Sequence, residues 1–217
     1  MEDKMANQFW TRRKIKSVEA LSAILANLKR INNKIVHCHG VFDFLHFGHF
    51  LHFEAAKREG DILVVSTTAD EFVNRGPGRP VYTHEQRARF IAALECVDFV
   101  VINHENNAAN LIRKLKPDVY IKGQDYKVSD NDVTGKIIDE KEAVESVGGR
   151  IHFTDEPTLS SSHLLNTYFN VYSSEFRELV TELKKVFSEV ELAVFLQELK
   201  KRGALASLIK AITTVLK

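Results

Sequence analysis

The β-branched pair Ile35-Val36 runs within a few residues into Gly40, and Gly48 then opens a stretch with apolar residues at helical spacing as far as Gly60. A strand, a glycine and a helix in such short order constrain the fold more than any other part of the chain. They leave a helix N-terminus facing the end of a strand. Unpaired backbone N–H groups and the positive end of the helix dipole favour an anion there. His46 and His49, three residues apart, add side-chain donors, and five of the nine histidines lie between His37 and His52. The expected ligand is a polyphosphate.

Histidines on strands and helices are more often packed or solvated than functional, which is the reading for His37, His39 and His52. His46 and His49 differ, because the positive end of a helix is a poor place for an imidazolium unless an anion compensates it. A zinc site built from His46, His49, His52 and Cys38 is the competing reading. The chain has no Cys-x-x-Cys pair and no His-Glu-x-x-His to support it, so no protein-held metal is expected.

Further along, Ile62-Leu63-Val64-Val65, Phe99-Val100-Val101-Ile102, Val119-Tyr120-Ile121 and Ile151-His152-Phe153 read as buried strands, with amphipathic segments between them. Thr83-His84-Glu85-Gln86 is a capping-box pattern for a helix reaching about Cys96, and Gly148-Gly149 stops a helix that carries Ala143, Val144 and Val147. Alternation of this kind predicts right-handed βαβ units in an α/β, Rossmann-like doubly wound parallel sheet, with ligands at the carboxyl ends of the strands. Before the sheet, Val18, Leu21, Leu25, Leu28 and Ile31 form one helical face behind Ser17 as N-cap. After Asn166 only helical patterning continues. The expected organisation is an N-terminal helical segment (1–33), a nucleotide-handling domain (34–168) and a C-terminal helical extension (169–217).

Thirty basic against 29 acidic residues leave a formal charge of +1, which gives no global field for nucleic acid or an anionic membrane. Cys38 and Cys96, far apart in apolar surroundings, read as reduced thiols of a cytoplasmic protein. No secretory leader and no membrane span are expected.

An ordered set of motifs covers roughly residues 34 to 166. It comprises Gly40-Val41-Phe42-Asp43, His46-Phe47-Gly48-His49, Ala56-Lys57-Arg58-Glu59-Gly60-Asp61, Asp70, Arg79-Pro80-Val81, Arg87, Val97-Asp98 and Lys116-Pro117-Asp118-Val119. Lys122-Gly123-Gln124-Asp125-Tyr126, Gly148-Gly149 and Ser160-Ser161-Ser162 complete it. In this the chain resembles the cytidylyltransferase-like nucleotidyltransferases, most closely the adenylyltransferase domain that activates D-glycero-D-manno-heptose 1-phosphate. The resemblance implies that a substrate phosphate attacks the α-phosphorus of ATP or CTP and releases pyrophosphate, in sugar activation for cell-surface glycan synthesis. No enzyme nucleophile is required, in keeping with the lack of a Gly-x-Ser-x-Gly or catalytic cysteine signature, because such chemistry is mainly positioning and charge stabilisation.

By resemblance, His46 and His49 hydrogen-bond the triphosphate and Arg87 binds phosphate from the Thr83 helix. Nucleotide contacts fall to Gly40, Val41, Phe42, Asp43, Gly48, Lys122, Gly123, Asp125, Ser160, Ser161 and Ser162. Asp70, Arg75 and Arg79 are assigned to the substrate or phosphate loop, the last two flanking Gly76-Pro77-Gly78 as a clamp. Plainer readings stand beside these: Arg87 as a solvated helical arginine, the serines as N-caps, Arg75 and Arg79 as a solvated basic turn. Mg2+ is expected with the triphosphate, and no all-protein cage for it.

The chain departs from the glycerol-phosphate cytidylyltransferase pattern at Asp155-Glu156-Pro157-Thr158-Leu159, where an acidic pair replaces an arginine-bearing stretch; ATP is favoured over CTP on that ground. The acceptor stays open among phosphorylated sugars and polyols. Heptose-type relatives often carry a sugar-kinase domain, and 217 residues leave no room for one, so a stand-alone enzyme and a fragment of a fusion are both consistent readings. A catalytically silent nucleotide-binding or assembly module is the alternative of another class. In the tail, Leu205, Leu208, Ile209, Ile212, Val215 and Leu216 form an apolar stripe, read as part of a homodimer contact.

Overall fold

The computed structural model describes residues 10–74, 79–123, 136–155 and 181–183. Its elements are α1 (Trp10–Lys14), α2 (Val18–Arg30), β1 (Ile35–Gly40), α3 (Phe47–Arg58), β2 (Ile62–Thr68) and α4 (His84–Ala92). They are followed by β3 (Phe99–Asn103), α5 (Ala109–Leu115), β4 (Val119–Gly123), α6 (Lys136–Ser146) and β5 (Arg150–Thr154). All five strands fall where the β-branched runs place them. They form one parallel sheet in the order β3-β2-β1-β4-β5, the doubly wound arrangement expected. The order reverses between β1 and β4, which puts the crevice of such a sheet above the carboxyl ends of those two strands.

Three aspartates set the strand starts. Asp61, Asp98 and Asp118 each stand one residue before a strand, and their carboxylates accept the backbone N–H groups of Lys34 (2.8 Å), Leu63 (2.7 Å) and Ile35 (2.7 Å). Each strand is thereby tied to its neighbour at the end remote from the crevice. Lys57 and Lys29 bridge to Asp98 and Asp118 at 2.6 and 2.8 Å.

Both faces of the sheet are covered. Val36, Cys38, Leu63, Val65, Val119 and Ile121 point to the face shared with Phe53 and Ala56 of α3 and Ala88, Ile91 and Ala92 of α4. Ile35, Val64 and Val101 point the other way, against Leu21 and Leu25 of α2 and Leu111 and Leu115 of α5, while Tyr120 meets Ala143 and Val144 of α6. Period-two alternation and double burial together explain the continuous apolar runs.

Ser17 caps α2 by accepting the Ala20 N–H at 3.2 Å. Ile31, counted in the apolar face of that helix, is instead its C-cap and 70% exposed, because the helix ends at Arg30. Thr83 and Gln86 form the reciprocal capping box, but α4 stops at Ala92, short of Cys96. Gly148, at φ +81°, takes the left-handed turn that follows α6 and that a residue with a Cβ rarely adopts.

The contacts of the segment before α2 escaped sequence reading: Ile15 bridges in parallel to Val100 of β3, and Lys14 donates to the carbonyls of Leu94 and Val97 at 2.9 and 2.6 Å. The chain divides into two compact units, Met1–His163 and Leu164–Lys217. No described helix is long and apolar enough to cross a membrane.

Candidate active site

β1 delivers Gly40 to the crevice, and residues 41–46 lead from it into α3. A Cβ on Gly40 would lie 2.9 Å from Phe42 Cζ, so the glycine makes room for that ring. Phe42 itself sits at φ +48°, a left-handed conformation costing a residue with a side chain about 1–2 kcal/mol. Packing holds it there: its ring is edge-on to Phe53 and His49, with centroids 5.0 and 5.3 Å away.

His46 is the N-cap residue of α3, but its side chain makes no cap bond. Its ring stacks on that of His49, one turn on, with centroids 3.9 Å apart and planes inclined at 22°. Both ring nitrogens of His46 are shielded from solvent and have no hydrogen-bond partner among the described residues. Burial pushes its pKa below the usual histidine value, so the neutral form prevails. Buried polar atoms without partners are exceptional in folded proteins, and on a ring at a helix N-terminus they are suited to meet a ligand.

Arg87 is buried rather than the solvated helical arginine of the plainer reading. Its side chain is 0% exposed, and all five N–H groups are engaged by the protein. Nε donates to Tyr82 O (2.9 Å), Nη1 to Val41 O (2.5 Å) and Thr67 Oγ1 (2.7 Å), and Nη2 to Thr68 O (2.7 Å) and Asp70 Oδ1 (2.6 Å). That leaves no donor of Arg87 over for a ligand in this arrangement. Asp70, its partner, is pushed up by burial, yet the bonds from Arg87 and His84 outweigh this and hold its carboxyl below the usual range.

Asp43 and Arg79 form a second buried pair, Nε to Oδ2 at 2.5 Å. The other Asp43 oxygen accepts the N–H groups of Val81 (2.7 Å) and Tyr82 (3.2 Å), so this carboxylate serves the protein rather than standing open to a nucleotide. Lys122 likewise reaches Glu140 at 2.7 Å, with side chains 10% and 3% exposed, which places its ammonium in a buried pair below the crevice. Gly123, at the end of β4, has open space where a Cβ would stand. Gly40, Val41, Phe42, Asp43, His46, Gly48 and His49 therefore come together after β1, Arg79, Arg87 and Asp70 gather beside them, and Lys122 and Gly123 occupy the next strand end. Arg75, Asp125, Ser160, Ser161 and Ser162 lie outside the described residues.

The other three histidines of the His37–His52 cluster are bonded to hydroxyls of the sheet, whereas His104 is exposed. His37 and His39 meet Ser66 Oγ at 2.8 Å each, and His52 meets Thr154 Oγ1 at 3.0 Å. Burial pushes His37 down to about 3 and His52 down to about 4. Ser66 is a hub that no sequence pattern indicated, because alternation gives a side chain's face and not its partner across the sheet. Cys38 is fully buried and its thiol is pushed up by burial, the opposite of an activated nucleophile. Among the described residues no three His, Cys, Asp or Glu side chains are grouped to hold a metal ion.

Residues 37–210 match the cytidylyltransferase-like family. The bifunctional protein HldE of Campylobacter jejuni is 48% identical over 128 residues, 58% of this chain and 27% of that protein. The bifunctional protein HldE of Geobacter metallireducens is 38% identical over 165 residues, 75% of this chain and 32% of that protein. The chain thus spans about a third or less of the length of these relatives. A likeness of fold extends to the pantoate-beta-alanine ligase of Francisella tularensis, with a TM-score of 0.51 at 16% identity over 79% of this chain and 77% of that one. A strand end, a glycine, a stacked His46/His49 pair on a helix N-terminus and a family match over most of the length converge, and the chain belongs to the cytidylyltransferase-like family of nucleotidyltransferases.

Proposed function

We propose that the chain transfers AMP from ATP to the phosphate of a sugar phosphate and releases pyrophosphate, as a step of sugar activation for glycan synthesis. The observation that carries this reading is the stacked His46/His49 pair with the partnerless nitrogens of His46 at the mouth of α3. An acceptor phosphate oxygen attacks the α-phosphorus, and the bond to the pyrophosphate oxygen breaks. The imidazole N–H groups and the first-turn N–H groups of α3 donate to the phosphate oxygens as charge shifts onto the leaving group. Arg87 holds Val41 O, and through it the loop, in position.

Mg2+ would neutralise triphosphate charge. The described carboxylates beside the loop, Asp43 and Asp70, already face Arg79 and Arg87, so the donor set suits an ion held chiefly by the nucleotide. The sugar-phosphate reading gains support from the resemblance to HldE proteins, and the glycerol-phosphate alternative is not favoured.

A pyrophosphate-release assay with ATP and CTP over a panel of sugar and polyol phosphates tests the proposal. Saturable, magnesium-dependent release with ATP and a sugar phosphate is the expected result; failure of every acceptor in the panel to give release rejects it. We further propose a homodimer to which the extension after residue 168 contributes. Light scattering should then report a dimer for the full chain and a smaller species for a chain ending at Asn170.

A further inference from the structure

Strand alternation sends the side chains of Thr67 and Thr68, the last two residues of β2, to opposite faces of the sheet. They address successive carbonyls of the segment leaving β1. Thr67 Oγ1 donates to Val41 O at 3.0 Å on the face it shares with Arg87. Thr68 Oγ1 donates to Gly40 O at 3.5 Å on the other. The first contact is reinforced by a guanidinium, the second by a partly buried chain of hydrogen bonds. His37 Nε2 lies 2.8 Å from Ser66 Oγ, the same oxygen lies 2.8 Å from His39 Nδ1, and His39 Nε2 lies 3.4 Å from Thr68 Oγ1.

One direction along the chain uses its shortest contacts. His37 is fully buried and neutral, so it carries a single N–H, and its Nδ1 has no partner among the described residues. Unpaired buried donors are rarer than under-used acceptors, which puts the hydrogen on Nε2, donated to Ser66. The Ser66 hydroxyl then has one proton to give, and His39 Nδ1 at 2.8 Å is nearer than Cys38 O at 3.4 Å. His39 accepts at Nδ1 and donates from Nε2 to Thr68, whose own proton points to Gly40 O. Gly40 in turn is packed against the Phe42 ring, and that ring against His49.

We propose that Ser66, His39 and Thr68 are positioning residues of the transfer reaction, fixing His39 as its Nε2–H tautomer and holding the Gly40–Val41 peptide from which the phosphate loop and the His46/His49 pair take their placement. The effect on rate rests on the nucleotidyl-transfer reading; the tautomer does not.

Two measurements on the full chain test this. Long-range 1H–15N correlation spectra at neutral pH should show His37 and His39 both as Nε2–H tautomers, with His39 losing that preference in Ser66→Ala. A wild-type His39 in the Nδ1–H form overturns the chain of bonds. Thr68→Val, which keeps the shape and removes the hydroxyl, should lower kcat about tenfold with KM for ATP within about threefold, and Thr68→Ser should restore the rate. An unaffected Thr68→Val, or equal losses in both variants, overturns the positioning role. Should the wild-type chain release no pyrophosphate with any acceptor, the transfer reading fails, while the spectra still decide the hydrogen-bond chain.

Discussion

Asp43 and Arg79, 36 residues apart, meet at 2.5 Å with their side chains 2% and 3% exposed, so the loop after β1 and the segment leading into α4 are joined by a buried ion pair. Removing one charge from such a pair strands the other. Asp43→Asn should therefore cost about 3–5 kcal/mol of stability, read from the urea midpoint, and should lower activity because the pair ties the loop after β1 to the segment leading into α4. A loss within 0.5 kcal/mol, as is usual for a surface change, would show the pair to be solvated in solution.

Loss of one donor aimed at developing charge costs about 10²–10³ in rate. His46→Ala and His49→Ala should each show a kcat loss of that size in pyrophosphate release, with circular dichroism unchanged. His52→Ala should keep kcat near wild type and lose stability, since its partner is Thr154 on β5. Equal rate losses at all three positions would point to one shared ligand rather than two phosphate donors and a packed ring.

Arg87→Lys keeps the charge but offers a compact ammonium where five fixed N–H groups are needed. It should lower both kcat and the thermal midpoint, and ATP affinity should fall less than kcat, because the side chain holds the loop and not the nucleotide. A variant with intact stability and a large, selective rise in KM for ATP would return Arg87 to the role of a direct phosphate ligand.

Acid should destabilise the fold before its carboxylates titrate. His37 and His52 stay neutral in the folded chain down to about pH 3 and 4, whereas their unfolded value is 6.5. Between those limits the unfolded chain binds more protons. The stabilisation is complete above pH 6.5 and is lost as the pH falls, by about 2 kcal/mol per histidine at pH 5. Urea unfolding at pH 7.5 and 5.0 measures this, and His52→Gln should remove about half of the difference. An unchanged difference would mean that His52 charges normally within the fold.

The architecture was legible because burial on both faces forces β-branched runs into parallel strands, and glycines and capping boxes punctuate them. Ile35-Val36, the Thr83 box and Gly148 all did in the structure what local chemistry dictates. The His46/His49 pair was legible for the same reason, being set by one helix N-terminus. What could not be read were relations across the sheet. Nothing in the neighbourhood of Arg87 in sequence announces Val41 and Thr67 as its acceptors, nor do the flanks of Ser66 announce two imidazoles. Such partners are fixed by strand order and register, which a single sequence does not print.

The parallel bridge from Ile15 meets Val100 of β3 at the sheet's margin, with Lys16 N–H donating to Val100 O at 2.9 Å. An exposed strand margin is a template onto which another chain can add. Here one position of the β3 margin is already taken, and at the other margin β5 begins with the charged Arg150, bound to Glu59 at 2.6 Å. A strand added along the whole of β3 would therefore have to displace Ile15 from Val100.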